Sequence, residues 1–326
     1  MPITFDEISG GLRCGTVASP PGPTTCAPQD LVWSIQTPAN SNDYRSVAYG
    51  GGVFAAVSHN GTNRVMTSSD GISWTERTMT TGLFALEYGN GRFVGIQTFT
   101  GGRTAVVSED GETWNTYANA LPSGGDWRSV VYGHAGFVAV DGEGSSRVAI
   151  SPDGITWTAV NVQPDVPGGR WTKIAYGNGR YAAIRGWGYD GTGPSVMTST
   201  DGINWVGQAA TDGCGGQSMA YDTSGGFVSA GCWGTWLIRS VDGITWTLGG
   251  WSGVQPEFNN ISFGEDIGYV GISGTHTYYS TDGLSWARQA VPAGWGGPFD
   301  ANASAYGNGI FVAVRENAVL RGACPG

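Results

Sequence analysis

The sequence predicts an all-β protein: a seven-bladed β-propeller of four-stranded antiparallel blades, the last blade closed by a strand from near the N-terminus. Three observations carry this expectation. A heptapeptide, Ser-x-Asp-Gly-x-x-Trp, first met as Ser68-Ser69-Asp70-Gly71-Ile72-Ser73-Trp74, recurs at 108–114, 151–157, 199–205, 240–246 and 280–286. Self-similarity at a period of roughly 40 to 50 residues is the signature of a propeller or another repeat array. A second landmark, an aromatic followed in most copies by glycine, runs out of phase with the first at Tyr49, Tyr88, Tyr132, Tyr176, Tyr221, Phe263 and Tyr306. Finally, 56 of 326 residues are glycine and 13% are charged, which suits many tight turns between short strands, because glycine takes positive φ freely and interrupts helices.

In chain order, residues 1–29 read as an irregular arm with Pro20-Pro21-Gly22-Pro23 as a stiff extended piece. Asp6 and Glu7 stand where a secretory leader would be basic or apolar, and no run of 18 apolar residues occurs, so neither a signal peptide nor a membrane-spanning helix is expected. The propeller is expected to occupy residues 30–326. Asp30-Leu31-Val32-Trp33 is a degenerate end of the repeat, an outer strand that arrives before the first aromatic-glycine hairpin. Each repeat then reads alike: a short β-like run ending in the aromatic, a glycine turn, and an apolar run led by Phe54, Phe93, Phe137, Tyr181, Phe227, Tyr269 or Phe311. A third run enters the Asp-Gly turn, and the tryptophan sits on a fourth. Trp33, Trp74, Trp114, Trp157, Trp205, Trp246 and Trp286 follow at steps of 40 to 48 residues, one per blade. Residues 303–322 lack a tryptophan strand after them, so pairing 31–36 against 317–322 completes a seventh blade and removes the open edges of an unclosed array. Six blades plus an irregular edge is the alternative.

Six repeated aspartates invite a reading as metal ligands or catalytic acids. The repeat argues otherwise, since an active site needs one copy and each blade has its own. Asp70, Asp110, Asp153, Asp201, Asp242 and Asp282 are therefore expected to shape turns: Asp bonds the backbone two residues on, glycine takes positive φ, and the serine hydroxyl caps the same turn. The tryptophan covers the seam between blades. Ser-x-Asp-Gly-x-x-Trp resembles the Asp-box, or BNR, repeat of sialidase-like propellers, one residue shorter between Asp and Trp, and the resemblance covers residues 30–322. It implies the propeller architecture and leaves activity open, because folds of this kind host many functions.

Strand alternation puts the aromatic-glycine and Asp-Gly turns on one face, short and repetitive, and all other connections on the opposite face. There the repeat breaks down, at 161–169, 186–194, 207–216, 249–258 and 288–300, and there Trp187, Tyr189, Trp251, Phe258 and Trp295 are expected to form a ligand-binding surface, joined by Trp127 and Trp171 or with those two plugging the channel mouth. Aromatic rings among Asn, Gln and Asp suit sugar rings or the anchors of a protein interface. Of five cysteines, Cys214 and Cys232 flank one hairpin closely enough to bond, while Cys324 lies within reach of Cys26 or Cys14. Such bonds imply an oxidising setting.

For chemistry the inventory is thin. His59, His134 and His276 fall in three blades with no metal-ligand spacing, so neither a metal nor a cofactor is expected. A net charge of −10 with a single lysine, Lys173, makes nucleic acid and anionic membranes poor partners, and neither nucleic-acid binding nor membrane insertion is expected. Three functions remain. The first is a non-enzymatic structural or binding propeller; the disulfides without a leader make it look like a bacteriophage virion component, a decoration or tail receptor-binding protein. It would attach to neighbouring virion or surface proteins by the arm and recognise cell-surface glycan or protein by its loops, at the virion or outside the cell. The second is a sialidase-like glycan-processing enzyme using Arg45, Arg128, Arg185 or Arg315, although the family's Arg-Ile-Pro motif is missing and sialidases with this repeat have six blades. The third is a bacterial assembly or stability factor.

Overall fold

The structure, a computed structural model, describes residues 26–97, 102–142, 147–162, 169–186, 195–208, 216–223, 226–230, 237–248, 252–253, 258, 260–296 and 303–325. Seven antiparallel sheets stand around a common axis. Their innermost strands are Tyr44–Gly50, Ala85–Gly89, Trp127–Gly133, Trp171–Gly177, Ser218–Asp222, Asn260–Gly264 and Ala303–Gly307, defining blades one to seven. Blades one to six each run outward in chain order, and blade six carries an extra two-residue strand, Ser252–Gly253, parallel to its outer strand. Blade seven takes its outer strand from the other end of the chain: Val32–Gln36 pairs with Ala318–Ala323 in the register Val32↔Ala323 to Gln36↔Val319. Cys26 and Cys324, beside that pairing, form a disulfide with 5.6 Å between Cα atoms, so Cys26 is the partner of Cys324. Cys14, Cys214 and Cys232 lie outside the described residues.

The turns on one face follow from their residues. Gly51-Gly52, Asn90-Gly91, Asn178-Gly179 and Asn308-Gly309 all have positive φ, as a two-residue type I′ hairpin loop requires. The glycine before the turn obeys a different rule, set by the next blade. Gly50 packs under Tyr88, and a Cβ there would lie 2.0 Å from the ring's Cγ; the same contact puts Tyr132 on Gly89, Tyr176 on Gly133, Tyr221 on Gly177 and Tyr306 on Gly264. Tyr49 on Gly307 closes the circle from blade one to blade seven. Within each hairpin the aromatic also meets the one leading the second strand, at 4.6 to 4.9 Å between centroids.

Each Asp-Gly turn is held by one carboxylate oxygen. In blade four, Asp201 Oδ1 accepts from the backbone N–H of Asn204 at 2.7 Å and of Ile203 at 2.8 Å, and from Ser199 Oγ at 2.9 Å. Ser199 Oγ itself accepts from the Gly202 N–H, and Trp205 Nε1 donates to the Gly202 carbonyl, both at 2.9 Å. The tryptophan-to-glycine bond and the serine-to-aspartate bond recur in all six copies. These turns press on the preceding blade: Gly154 on Val94, Gly202 on Val138, Gly283 on Val228 and, across the closure, Gly71 on Val312. The core is accordingly a set of seams, such as Val94, Ile96 and Val107 of blade two against Val130, Phe137 and Ala139 of blade three.

Two measurements test these contacts. Gly89→Ala drives a Cβ to within 2.1 Å of the Tyr132 ring and is expected to cost about 1–3 kcal/mol of unfolding free energy. Gly296→Ala, whose nearest neighbour is 3.7 Å away, should stay within about 0.5 kcal/mol; equal losses in urea would mean that the seam does not depend on glycine. Hydrogen bonds from Asn204, Ile203 and Ser199 outweigh burial and hold the Asp201 carboxyl well below its ordinary value of 3.8, and the other five are also depressed. A depressed folded-state pKa gives stability that is complete above the unfolded value and lost as pH falls through the folded one. The stability that the six turns contribute should therefore hold from neutrality to about pH 5 and be lost below about pH 4, read as the difference in unfolding midpoint between the wild type and Asp201→Asn.

Candidate functional site

The second strands end and the innermost strands begin on the face opposite the hairpins. In blades one, three and four the innermost strand is bulged at its second residue, since the register with its neighbour skips Arg45, Arg128 and Thr172. A bulge re-aims a side chain at the end of a strand. Here Tyr44, Trp127 and Trp171 are fully buried while the Arg45 and Arg128 side chains keep about a third of their surface exposed.

The four arginines of the sialidase-like reading are engaged within their own neighbourhoods. Arg45 pairs with Asp43 and lies over the Phe84 ring, 5.6 Å from its centroid. Arg128 Nε donates to Asp126 Oδ2 at 2.7 Å, and the Asp126 N–H donates at 2.8 Å to Oδ1 of the fully buried Asp141. Arg315 donates to the Trp295 carbonyl and stacks 5.2 Å from the centre of its indole. Arg185 is buried.

The aromatic surface expected on this face is corrected at four positions, where the rings turn inward. Trp127 joins the seam of blades two and three and donates its indole N–H to the Pro122 carbonyl at 3.4 Å; Trp171 is fully buried between blades three and four. Trp295 is fully buried and donates to the Ser273 carbonyl at 3.2 Å. Phe258 fills the space over Gly271, 5.1 Å from Trp286 and 5.4 Å from Tyr278. The physical reason is common to all four: a large ring at the end of a connection fills the open end of a seam, and most of its area is removed from water there. Trp187, Tyr189 and Trp251 lie outside the described residues.

A second feature escaped the sequence reading. On the axis, where the innermost strands converge, residues of all seven blades line a cavity of about 160 Å³. Small polar side chains staple neighbouring strands around it: Ser46 Oγ accepts from the Leu86 N–H at 3.1 Å, Ser129 Oγ from Ile174 at 3.3 Å and Ser218 Oγ from Ile261 at 3.1 Å. Two long charged side chains, Glu87 and Lys173, share the same cavity. Both are half-buried, because the strands wall them off while the cavity leaves room for water beside them. Burial pushes the Glu87 carboxyl up to about 8, against the Tyr88 N–H and the charge of Lys173. Burial also lowers Lys173, with Glu87 opposing. The signal in the sequence was faint but real: Lys173 is the single lysine in the chain.

No protein-family model and no curated protein matches this sequence. Solved structures do share its architecture. YCF48 bound to D1 peptide aligns with a TM-score of 0.65 at 14% identity, over 93% of this chain and 99% of that one. Streptogramin B lyase aligns at 0.73 and 10%, over 92% and 100%. The WD40 β-propeller domain of Doa1 aligns at 0.63 and 12%, over 90% and 97%. At such identities the likeness is one of fold, and propellers of this shape include both binding proteins and a lyase.

The burial of Trp295 sets a clear expectation. Trp295→Ala should lose about 3–5 kcal/mol of unfolding free energy, because it empties a seam and removes the ring on which Arg315 rests. A variant as stable as the wild-type chain would return Trp295 to the surface.

Proposed function

We propose that the protein is a non-enzymatic binding propeller, a decoration or tail receptor-binding protein of a virion, which recognises cell-surface glycan through its irregular face. The observation that carries the reading is the difference between the two faces. One is built of six copies of a single turn and of hairpin loops of a few residues; the other consists of connections of unlike length and sequence, and that face alone can hold a unique recognition surface on a repetitive scaffold. The Cys26–Cys324 disulfide supports an oxidising, extracellular setting, and residues 1–25, which precede that anchor, supply the segment for attachment to a neighbouring protein. The arginines that an acidic sugar would need in a hydrolase are engaged with Asp43, Asp126 and the Trp295 carbonyl, which favours binding over sialidase-like hydrolysis. A protein ligand is the second occupant, supported by YCF48, a propeller of this shape with a bound peptide.

Trp187 and Trp251 are the residues to test, since Trp295, Trp127, Trp171 and Phe258 serve the core. A glycan array probed with the full chain should show a discrete set of bound sugars, and Trp187→Ala or Trp251→Ala should weaken that binding tenfold or more with the melting temperature unchanged. A folded wild-type chain that binds no glycan would exclude sugar recognition, and weight would pass to a protein ligand.

A further inference from the structure

The axial cavity breaks the pattern of the repeat at two points. Alignment of the innermost strands on their terminal aromatic places Lys173 level with Ser46, Ala85, Ser129, Ser218, Asn260 and Ala303. It places Glu87 level with Ala48, Val131, Ala175, Ala220, Ser262 and Ala305. Every other blade has a small or branched side chain at these levels. A structural role is a poor explanation for Lys173, because an ammonium cannot accept the hydrogen bond that serine accepts from the next blade's N–H at this level in blades one, three and five. The blade-four copy surrenders that staple and adds a charge in a confined space. Blades two and seven, with Ala85 and Ala303, lack the staple too, but blade four alone puts a charge at this level, and that departure marks a functional position.

We propose that the axial cavity is a binding site for a small carboxylate, with the Lys173 ammonium as counter-ion and Glu87 and the serine hydroxyls as hydrogen-bonding partners. The cavity's 160 Å³, at ~10–15 Å³ for each enclosed water, holds roughly 11 to 16 waters or a ligand of at most about that many non-hydrogen atoms. That is the size of a hydroxy acid or a short dicarboxylic acid and excludes an oligosaccharide or a peptide chain. The charge selects the sign. Among the described residues Lys173 makes no ion pair within 4.0 Å, and of those lining the cavity it and Glu87 are the titratable ones. Burial acts on both groups, pushing the Glu87 carboxyl up to about 8, which favours its protonated, donating form at neutral pH, and lowering Lys173; an anion bound beside Lys173 is the partner that would hold it charged. A carboxylate matches that set with two oxygens, whereas a cation or a neutral sugar leaves Lys173 uncompensated.

The site is separate from the irregular face, and its test does not depend on glycan recognition. Isothermal titration of the full chain with sodium lactate at pH 7, with sodium chloride as the comparison anion, should show saturable one-to-one binding of lactate and not of chloride. Lys173→Met should weaken lactate at least tenfold, while Lys173→Arg, which keeps the cation and guards against a folding defect, should retain binding within a few fold. Between pH 7 and 9 Glu87 loses its proton and becomes a like charge, so wild-type affinity should fall tenfold or more; Glu87→Gln, a permanent donor of the same shape, should bind equally at both pH values. No lactate binding by the folded wild-type chain, chloride binding of equal strength, or undiminished binding by Lys173→Met would each overturn the proposal. A pH profile that is the same in the wild type and Glu87→Gln would overturn the part given to Glu87.

Discussion

Seven seams must close into one turn, and at six of them an aromatic ring rests directly on the glycine of the blade before it. Tyr88 on Gly50 leaves no room for a methyl group, and the same pair recurs at six of the seven seams, up to Tyr49 on Gly307; between blades five and six Asp222 stands in the glycine's place. Because the ring rests on backbone with no side chain between, the separation of neighbouring blades is set by hard contact. A softer seam would let each blade drift by a different amount, and the seventh could not meet the first. Closure is then secured three more times between blades seven and one or at the chain ends: Gly71 packs on Val312, Arg321 Nε donates to the Asp70 carbonyl at 2.8 Å, and Val32–Gln36 is tied down beside Cys26–Cys324.

The Asp-box turn belongs to the same system. Its aspartate spends Oδ1 on two backbone N–H groups and a serine hydroxyl, and the shape so fixed is what lets the turn's glycine press on the previous blade's second strand. The charge is a by-product with a consequence. Six carboxylates held ionised on one face, with Glu265 and Asp266 beside them and Glu109 and Glu112 paired with Arg92 and Arg77, make that face acidic. Like charge on a flat, repetitive face discourages stacking of one copy on another, so a surface that could nucleate aggregation is kept apart by the residues that build it.

How much of this could be seen in the sequence depended on whether a contact lies within one repeat or between two. The heptapeptide, the Asn-Gly turns and the complementary ends are local patterns, and from them the blade count and the pairing of residues 32–36 with the last strand were legible. Gly50 was legible only as turn composition; its true constraint is Tyr88, in the next repeat. Trp295, Trp127, Trp171 and Phe258 were misplaced for the same reason. Irregular connections around them suggested exposure, while the seam that receives each ring is formed by residues of a neighbouring blade or of a distant segment, as Trp295 shows with Ser273 and Arg315. Glu87 and Lys173 stand in blades two and four, and nothing local relates them. Aligning the innermost strands position by position would have found both.

A ring of near-identical blades has a further property that decides where function can lie. Any residue present in every blade produces six or seven equivalent environments, and a single ligand cannot distinguish them. A unique site therefore has to be made from departures: the bulges that lift Arg45 and Arg128 toward the opening, the unlike connections of one face, and the two charged side chains on the axis. Departures cost stability, because each forgoes a contact that the repeat supplies elsewhere, as Lys173 forgoes a staple that Ser129 keeps. The redundancy of the other seams makes that loss tolerable, and this explains how a chain so regular in its sequence can still carry an asymmetric interior.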